Sequence, residues 1–182
     1  MNSSTKNKFL AQYGHEGHVS DIVDNKPRWD AALEVIKNTH SVKPQHIDKL
    51  LDHKDSTVRE QAMTHPNVST GNVDKALNDV DGKVRAAAAI HPAATKKHID
   101  KALEDHDERV RWHGLENKNA TSEHVEKGMK DDNYYVRFSA ACSKGATKEQ
   151  LTRMTKDPRN TTEDGKQGNL VNRAKARAER MS

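Results

Sequence analysis

A segment of 26 residues recurs along this chain without insertion or deletion, and no other feature of the sequence constrains the fold as strongly. The second half of each copy carries a Val-Arg pair, at residues 58–59, 84–85, 110–111 and 136–137. We call each copy a unit. Self-similarity at a fixed period indicates a repeat architecture, in which every unit buries its apolar side chains against its neighbours. The first halves of the units begin at His46, Asn72, His98 and His124, and a final half-unit begins at Gln150.

Each unit has the pattern of two short helices. In one first half, Ile99, Ala102 and Leu103 are spaced i, i+3, i+4, which is helical spacing. The second halves repeat this spacing, and His-Pro at 65–66 and 91–92 ends the second helix because proline cannot continue it. Residues that favour helix N-caps precede both segments. These are Ser69, Thr95, Thr121 and Thr147 for the first helix and Asp55, Asp81, Asp107 and Asn133 for the second.

We therefore predict an all-α fold, a right-handed α-solenoid of about five two-helix repeats with a 26-residue period. Residues 1–45 have a looser register and are interpreted as a degenerate N-terminal capping repeat. The repeat array spans residues 46–157. Residues 158–182 leave the pattern and are interpreted as a polar linker followed by a short basic C-terminal helix or tail.

Composition alone would allow a disordered chain, and the repeat argues against that alternative. Leu, Ile, Val and Phe total only 29 of 182 residues, but the net charge is only +4. A stacked array needs few large side chains, since the 19 alanines permit close approach of helices. No apolar run is long enough to span a membrane, and the polar N-terminus has no secretory signal, so we expect a cytoplasmic protein. The single cysteine, Cys142, excludes an internal disulfide.

The pattern Asp-x-x-Val-Arg-x-x-Ala-Ala-x-His-Pro-x-Ala-Thr, from Asp81 to Thr95, resembles the leucine-rich repeat variant of the HEAT-like α-solenoids. The resemblance covers roughly residues 46 to 157. It implies a solenoid fold and a binding role rather than a reaction. Similar arrays occur in many bacterial and bacteriophage proteins, so it also implies a host-interaction or virion-associated role. The cysteine cluster for iron–sulfur that some members carry is missing here, and no cofactor is expected.

An arginine recurs once per unit and forms a row along the predicted array. One interpretation is that these arginines pair with acids of neighbouring units or bind helix ends. The alternative is a stripe that binds phosphates or an acidic partner, which the acids nearby disfavour. The row consists of Arg59, Arg85, Arg111 and Arg137.

Aromatic residues concentrate where the units depart from their shared pattern. Four of the seven aromatic residues lie between 112 and 138. Aromatic side chains beside arginine suit a hot spot for a protein partner or stacking on bases. The alternative is that Trp112 and Phe138 fill gaps left by Gly114 and Gly128. The predicted partner-binding residues are Trp112, His113, Tyr134, Tyr135, Arg111 and Arg137.

Basic residues concentrate in the last 27 residues, which carry a net charge of +3. The preceding 155 residues are therefore close to neutral. A basic tail of this kind contacts nucleic acid, an acidic partner or another subunit, or is simply solvated. The candidate contacts for phosphate or an acidic partner here are Arg173, Lys175, Arg177 and Arg180.

We therefore expect a non-enzymatic binding or scaffold protein that docks a macromolecular partner, most simply a protein. The alternative function is nucleic-acid binding through the arginine row and the basic tail. No phosphate-binding loop or nucleophile elbow is present, and Trp112 with Asp107 is the one pair that suits a DNA glycosylase. His15 and His18 lack the two-residue spacer of a zinc motif, so no metal site is predicted.

Overall fold

The computed structural model describes residues 42–161 and 168–181. These residues form helices and no strand, so the predicted all-α class is confirmed for them. Residues 1–41 of the predicted capping repeat, with His15 and His18, lie outside the described residues. The helices are α1 Pro44–Leu50, α2 Ser56–Ala62, α3 Thr70–Ala76, α4 Gly82–Ile90, α5 Lys96–Ala102, α6 Glu108–Glu116, α7 Ser122–Gly128, α8 Tyr134–Cys142, α9 Lys148–Met154 and α10 Asn169–Arg180, with a 3₁₀ turn at Pro158–Asn160.

Side chains at the predicted N-caps start the second helix of each unit. The Asp81 carboxylate accepts a hydrogen bond from Lys83 N at 2.9 Å, and Asp107 accepts one from Arg109 N at 2.9 Å. In the first helices, the third residue reaches back to the N-cap. His98 Nδ1, for example, accepts from Thr95 N at 2.9 Å. Because these bonds satisfy N–H groups that have no partner within the helix, helices of only seven to nine residues begin at defined positions.

The core lies between the two helices of each unit and between successive units. The second helices pack side by side in the order α2, α4, α6, α8, and α10 packs against both α8 and α9. Small residues allow this close packing. Those fully buried between the helices include Ala88, Ala89, Ala140 and Ala141. A low apolar fraction therefore suffices for two buried clusters, one within residues 42–110 and the other within residues 115–178.

Each arginine of the row joins one unit to the next inside the molecule. Arg85 donates from Nε and Nη2 to both oxygens of Asp105, at 2.7 and 3.0 Å, and Nη1 donates to the carbonyls of Asp79 and Val80. Only 7% of the Arg85 side chain and 10% of the Asp105 side chain are exposed. Burial by itself would raise the pKa of Asp105, but its bonds to Arg85 and to a backbone N–H hold that pKa below its usual value. Equivalent pairs join Arg59 to Asp79 and Arg111 to Asp131.

The last unit keeps this scheme with different groups. Arg137 donates to Asn160 Oδ1 at 2.8 Å and to Arg159 O at 2.9 Å, where the earlier arginines meet a carboxylate. The Asp157 carboxylate, 26 residues after Asp131, pairs with Arg159 instead. The 3₁₀ turn thus supplies a neutral acceptor for the final arginine of the row.

Helix α10 completes the end of the row of second helices. Leu170, Val171, Ala174 and Ala178 are buried against α8 and α9. Arg177 Nη1 donates to the carbonyls of Ala141 and Ser143. Asn117 donates to the equivalent carbonyls of the preceding part of the chain, Ala89 O and His91 O. A side chain of α10 therefore supplies the hydrogen bonds that a following unit would otherwise supply.

Histidines occupy turns in which the neutral ring is required. His91 Nδ1 accepts from Ala93 N at 3.1 Å, so Nε2 carries the proton and donates to His65 O at 3.2 Å. Asn117 makes the same kind of contact with its amide group, accepting from Asn119 N and donating to carbonyls. Burial lowers the pKa of His91, because the charged form of the ring loses its hydration inside the protein.

Replacing Arg85 with methionine should destabilise the protein by about 3 kcal/mol, because Asp105 would keep a buried charge without its partner. Urea unfolding followed by circular dichroism measures this change. Arg109→Met is the matched control, since half of the Arg109 side chain is exposed and it pairs with Asp107 at the surface. Equal destabilisation by the two variants would contradict the special role of the internal pairs.

Stability should fall as pH decreases from about 6.5, because the unfolded chain then binds more protons at histidine than the folded chain does. His91→Asn should reduce this loss, since the amide can replace both hydrogen bonds of the ring without titrating. The measurement is the free energy of unfolding in urea at about pH 7 and about pH 5. An equal loss of stability on acidification in His91→Asn and in the natural protein would contradict this role of His91.

Candidate docking surface

A shallow groove crosses the outer face of α4. Its volume is about 170 Å³, and Ala86, Ala87 and Ile90 form its floor. The groove exists because α4 has alanine where its neighbours have longer side chains, namely Glu60 on α2 and His113 on α6. Ile90 is 41% exposed, at a unit position where the other units have Thr64, Glu116 and Cys142.

Charges of both signs surround this apolar floor. Lys83 and Arg109 contribute positive charges to its lining, and Glu60 contributes a carboxylate. Arg109 Nη2 binds Asp107 Oδ2 at 2.7 Å, and this bond holds the pKa of Asp107 at about 2. The Asp107 carboxylate is therefore an N-cap and an ion-pair partner, and it is poorly suited to act as a base beside Trp112.

Trp112 belongs mainly to the core. It is half-buried and packs against the buried cluster that includes Leu115. Its Nε1 is buried and has no acceptor among the described residues. The neighbouring His113 ring lies 5.0 Å away and contacts Glu116 Oε2 at 3.1 Å. His113 lines the groove, whereas Trp112 supports the helix that presents it.

Leu115, rather than an aromatic ring, fills the gap at Gly128. A Cβ atom at Gly128 would lie only 2.5 Å from Leu115 Cδ1. The space left by the glycine is therefore already occupied by an aliphatic side chain. At Gly114 a Cβ atom would meet Ala102 Cβ at 3.2 Å, so close helix packing accounts for that glycine.

The two adjacent tyrosines have different roles. Tyr134 is half-buried, packs against the core beside Phe138, and its hydroxyl accepts a hydrogen bond from Leu170 N at 3.2 Å. It thereby fixes the start of α10. Tyr135 is 65% exposed and is the aromatic residue of the predicted site that projects furthest into solvent in the described part.

The predicted arginine contacts lie mostly inside the molecule. Arg111 and Arg137 hold Asp131 and Asn160, so their donors serve the fold rather than a partner. Arg59 and Arg85 are buried in the same way. In α10, Arg177 is engaged with carbonyls of α8, whereas Arg173, Lys175 and Arg180 are exposed.

Of the residues predicted to bind a partner, His113 alone lines this groove, and the sequence reasoning did not single out the other lining residues. The missed residues are Glu60, Lys83, Ala86, Ala87, Ile90 and Arg109. The sequence did contain a signal for the groove. Ile90 stands at a unit position that is polar or small in the other units, and Ala86 and Ala87 stand where neighbouring units have the longer side chains of Glu60 and His113.

Within residues 42–161 and 168–181, no group of three or more His, Cys, Asp or Glu side chains is placed to hold a metal ion. None of the described helices has the length and apolarity needed to cross a lipid bilayer. No protein-family model matches this chain, and no curated protein sequence matches it either.

Tyr134→Phe should loosen α10 because Leu170 N loses its acceptor, at a cost of about 1 kcal/mol. Hydrogen exchange at the Leu170 amide should accelerate by several fold, and this is the measurement that separates local from global effects. Tyr135→Phe is the matched control, because its side chain is largely exposed. Unchanged exchange at Leu170 in Tyr134→Phe would contradict this role of the hydroxyl.

Proposed function

We propose that this protein is a non-enzymatic binding module, a right-handed α-solenoid of about five HEAT-like two-helix repeats, that docks a segment of a protein partner in the groove across α4. The observation that carries the proposal is the apolar floor of the groove, in which Ile90 is 41% exposed, Ala87 is half-buried and Ala86 is buried. An apolar centre with a charged rim is the usual composition of a protein-binding patch.

The solenoid part of the proposal is supported by regular spacing in the described residues. The first helices begin at residues 44, 70, 96, 122 and 148, and four second helices begin at 56, 82, 108 and 134. Three Arg-Asp pairs each join residues 20 positions apart, as in Arg59 with Asp79. Identical links between successive units favour one repeated geometry.

A protein segment fits this groove better than a nucleic acid does. Lys83 has an acid nearby on the rim, Glu60, and Arg109 is already paired with Asp107, so the groove lacks the excess positive charge that phosphates require. Its floor runs along one face of α4 from Lys83 to Ile90. A short segment that presents two or three aliphatic side chains would cover that floor and place its polar groups against the rim.

The test is to fill the groove. Peptides selected from a displayed random library against the natural protein should bind Ala87→Trp at least tenfold more weakly, because the indole occupies the floor. Binding is measured by fluorescence anisotropy of each labelled peptide. Gln61→Trp makes the same change at the equivalent position of α2 and should leave the affinity within about twofold.

Two results would overturn the proposal. One is a set of selected peptides whose affinity is the same for the natural protein and for Ala87→Trp. The other is equal loss of affinity in Ala87→Trp and Gln61→Trp, which would place binding elsewhere on the second helices. Thermal unfolding of both variants establishes that each is folded before the comparison.

A further inference from the structure

The charge of this molecule is concentrated at one end of the chain. Residues 144–182 contain ten basic and five acidic residues, a net charge of +5, so the preceding 143 residues carry −1. The sequence pI of 9.1 therefore reflects the C-terminal end. This asymmetry is independent of the groove on α4.

Several cations of the main array are neutralised by acids within the fold, whereas most described cations of the C-terminal end are not. Lys127, for example, binds Asp100 at 2.7 Å and Arg111 binds Asp131 at 2.7 Å, each bond linking neighbouring units. At the C-terminal end, Arg153 and Arg159 also form ion pairs, with Glu126 and Asp157. Among the described residues of the C-terminal end, six exposed cations have no ion pair. They are Lys144, Lys148, Lys156, Arg173, Lys175 and Arg180.

Helix α10 brings several of these cations to one place. Arg173, Arg177 and Arg180 are spaced i, i+4, i+7 and so share one side of α10. Arg177 binds Ser143 O at 3.0 Å, so the backbone of the next residue, Lys144, lies close to α10. We call Lys144, Arg173 and Arg180 the C-terminal basic surface. Because the apolar face of α10 is buried, α10 cannot rotate, and Lys144, Arg173 and Arg180 stay exposed.

We propose that the C-terminal basic surface binds the phosphate backbone of duplex DNA. Arg173 and Arg180 lie about 10 Å apart along the helix axis. One strand of a duplex carries a phosphate every 3.4 Å of axis, so the two side chains reach phosphates about three positions apart. Arg177 fixes α10 on the array, so the flanking cations are held on a rigid element.

The composition of this end favours duplex DNA over the other polyanionic ligands, namely a single strand, an acidic protein and a lipid surface. Residues 144–182 contain no aromatic residue, whereas proteins that hold single strands stack bases on aromatic rings. In the described part of this end, Met181 alone is a large apolar side chain with substantial exposure, which disfavours an acidic protein as partner. A lipid surface is disfavoured because the apolar face of α10 is packed against α8 and α9.

The test is anisotropy titration of a labelled 20-base-pair duplex with the full chain at several salt concentrations. Three phosphate contacts predict that log K falls against log salt with a slope of about −2.7, which is about 40-fold weaker binding at 200 mM than at 50 mM. The triple variant Lys144→Gln, Arg173→Gln, Arg180→Gln should bind at least tenfold more weakly at 50 mM and lose most of that slope.

The matched control removes three exposed charges elsewhere, by Lys96→Gln, Lys97→Gln and Lys118→Gln, and should retain the affinity of the natural chain. Equal loss in both triple variants would overturn the proposal, since overall charge alone would then explain binding. It would also fail if the duplex does not bind at 50 mM, or if a single strand or polyglutamate binds more tightly. Matched thermal unfolding of the variants shows that the mutated chains are folded.

Discussion

The buried pair of an arginine and an aspartate is the interaction on which the arrangement of successive units depends. The units have few large apolar side chains, and alanine contacts alone define the lateral position of neighbouring helices only loosely. A guanidinium that is bidentate to one carboxylate and also bound to two carbonyls accepts only one geometry. Because an unpaired buried charge is costly, shifting one unit along its neighbour would cost far more free energy than the loss of a few alanine methyl contacts. The charged pairs thus set the register, and the alanines allow the close approach that the register requires.

The end of the array shows what this scheme requires when no further complete unit follows. Arg137 receives an amide oxygen and a carbonyl in place of a carboxylate, and α10 supplies Arg177 to carbonyls that would otherwise lack a donor. Helix α10 therefore covers apolar side chains and satisfies backbone groups at the same time. This double role explains why a segment that departs from the unit pattern in sequence is nevertheless packed.

Many charged side chains are paired within the fold, and this limits which surfaces are available for binding. The arginine row is internal, and lysines of the first helices bind acids of the preceding unit, as Lys75 binds Asp48 and Asp52. Two surfaces of the described residues are distinguished by their chemistry: an apolar groove with a mixed rim on α4, and a concentration of unpaired cations at the C-terminal end. These two surfaces differ in chemistry, and the groove mutations and the charge mutations therefore test separate properties of the molecule.

The sequence by itself determined the helical class, the boundaries of most helices and their caps, because these depend on local spacing and on side chains a few residues away. It left open whether the arginine row pairs within the array or binds a partner, and the structure pairs Arg59, Arg85 and Arg111 with Asp79, Asp105 and Asp131. Only the tertiary structure decided which aromatic residues face outward, as with the half-buried Tyr134 and the exposed Tyr135. The groove on α4 could likewise be found only from the tertiary structure, because its walls and floor are formed by side chains of three adjacent helices. The periodicity of one helix specifies its faces. Whether a face is buried or exposed depends on neighbouring helices that lie about 26 residues away in the chain.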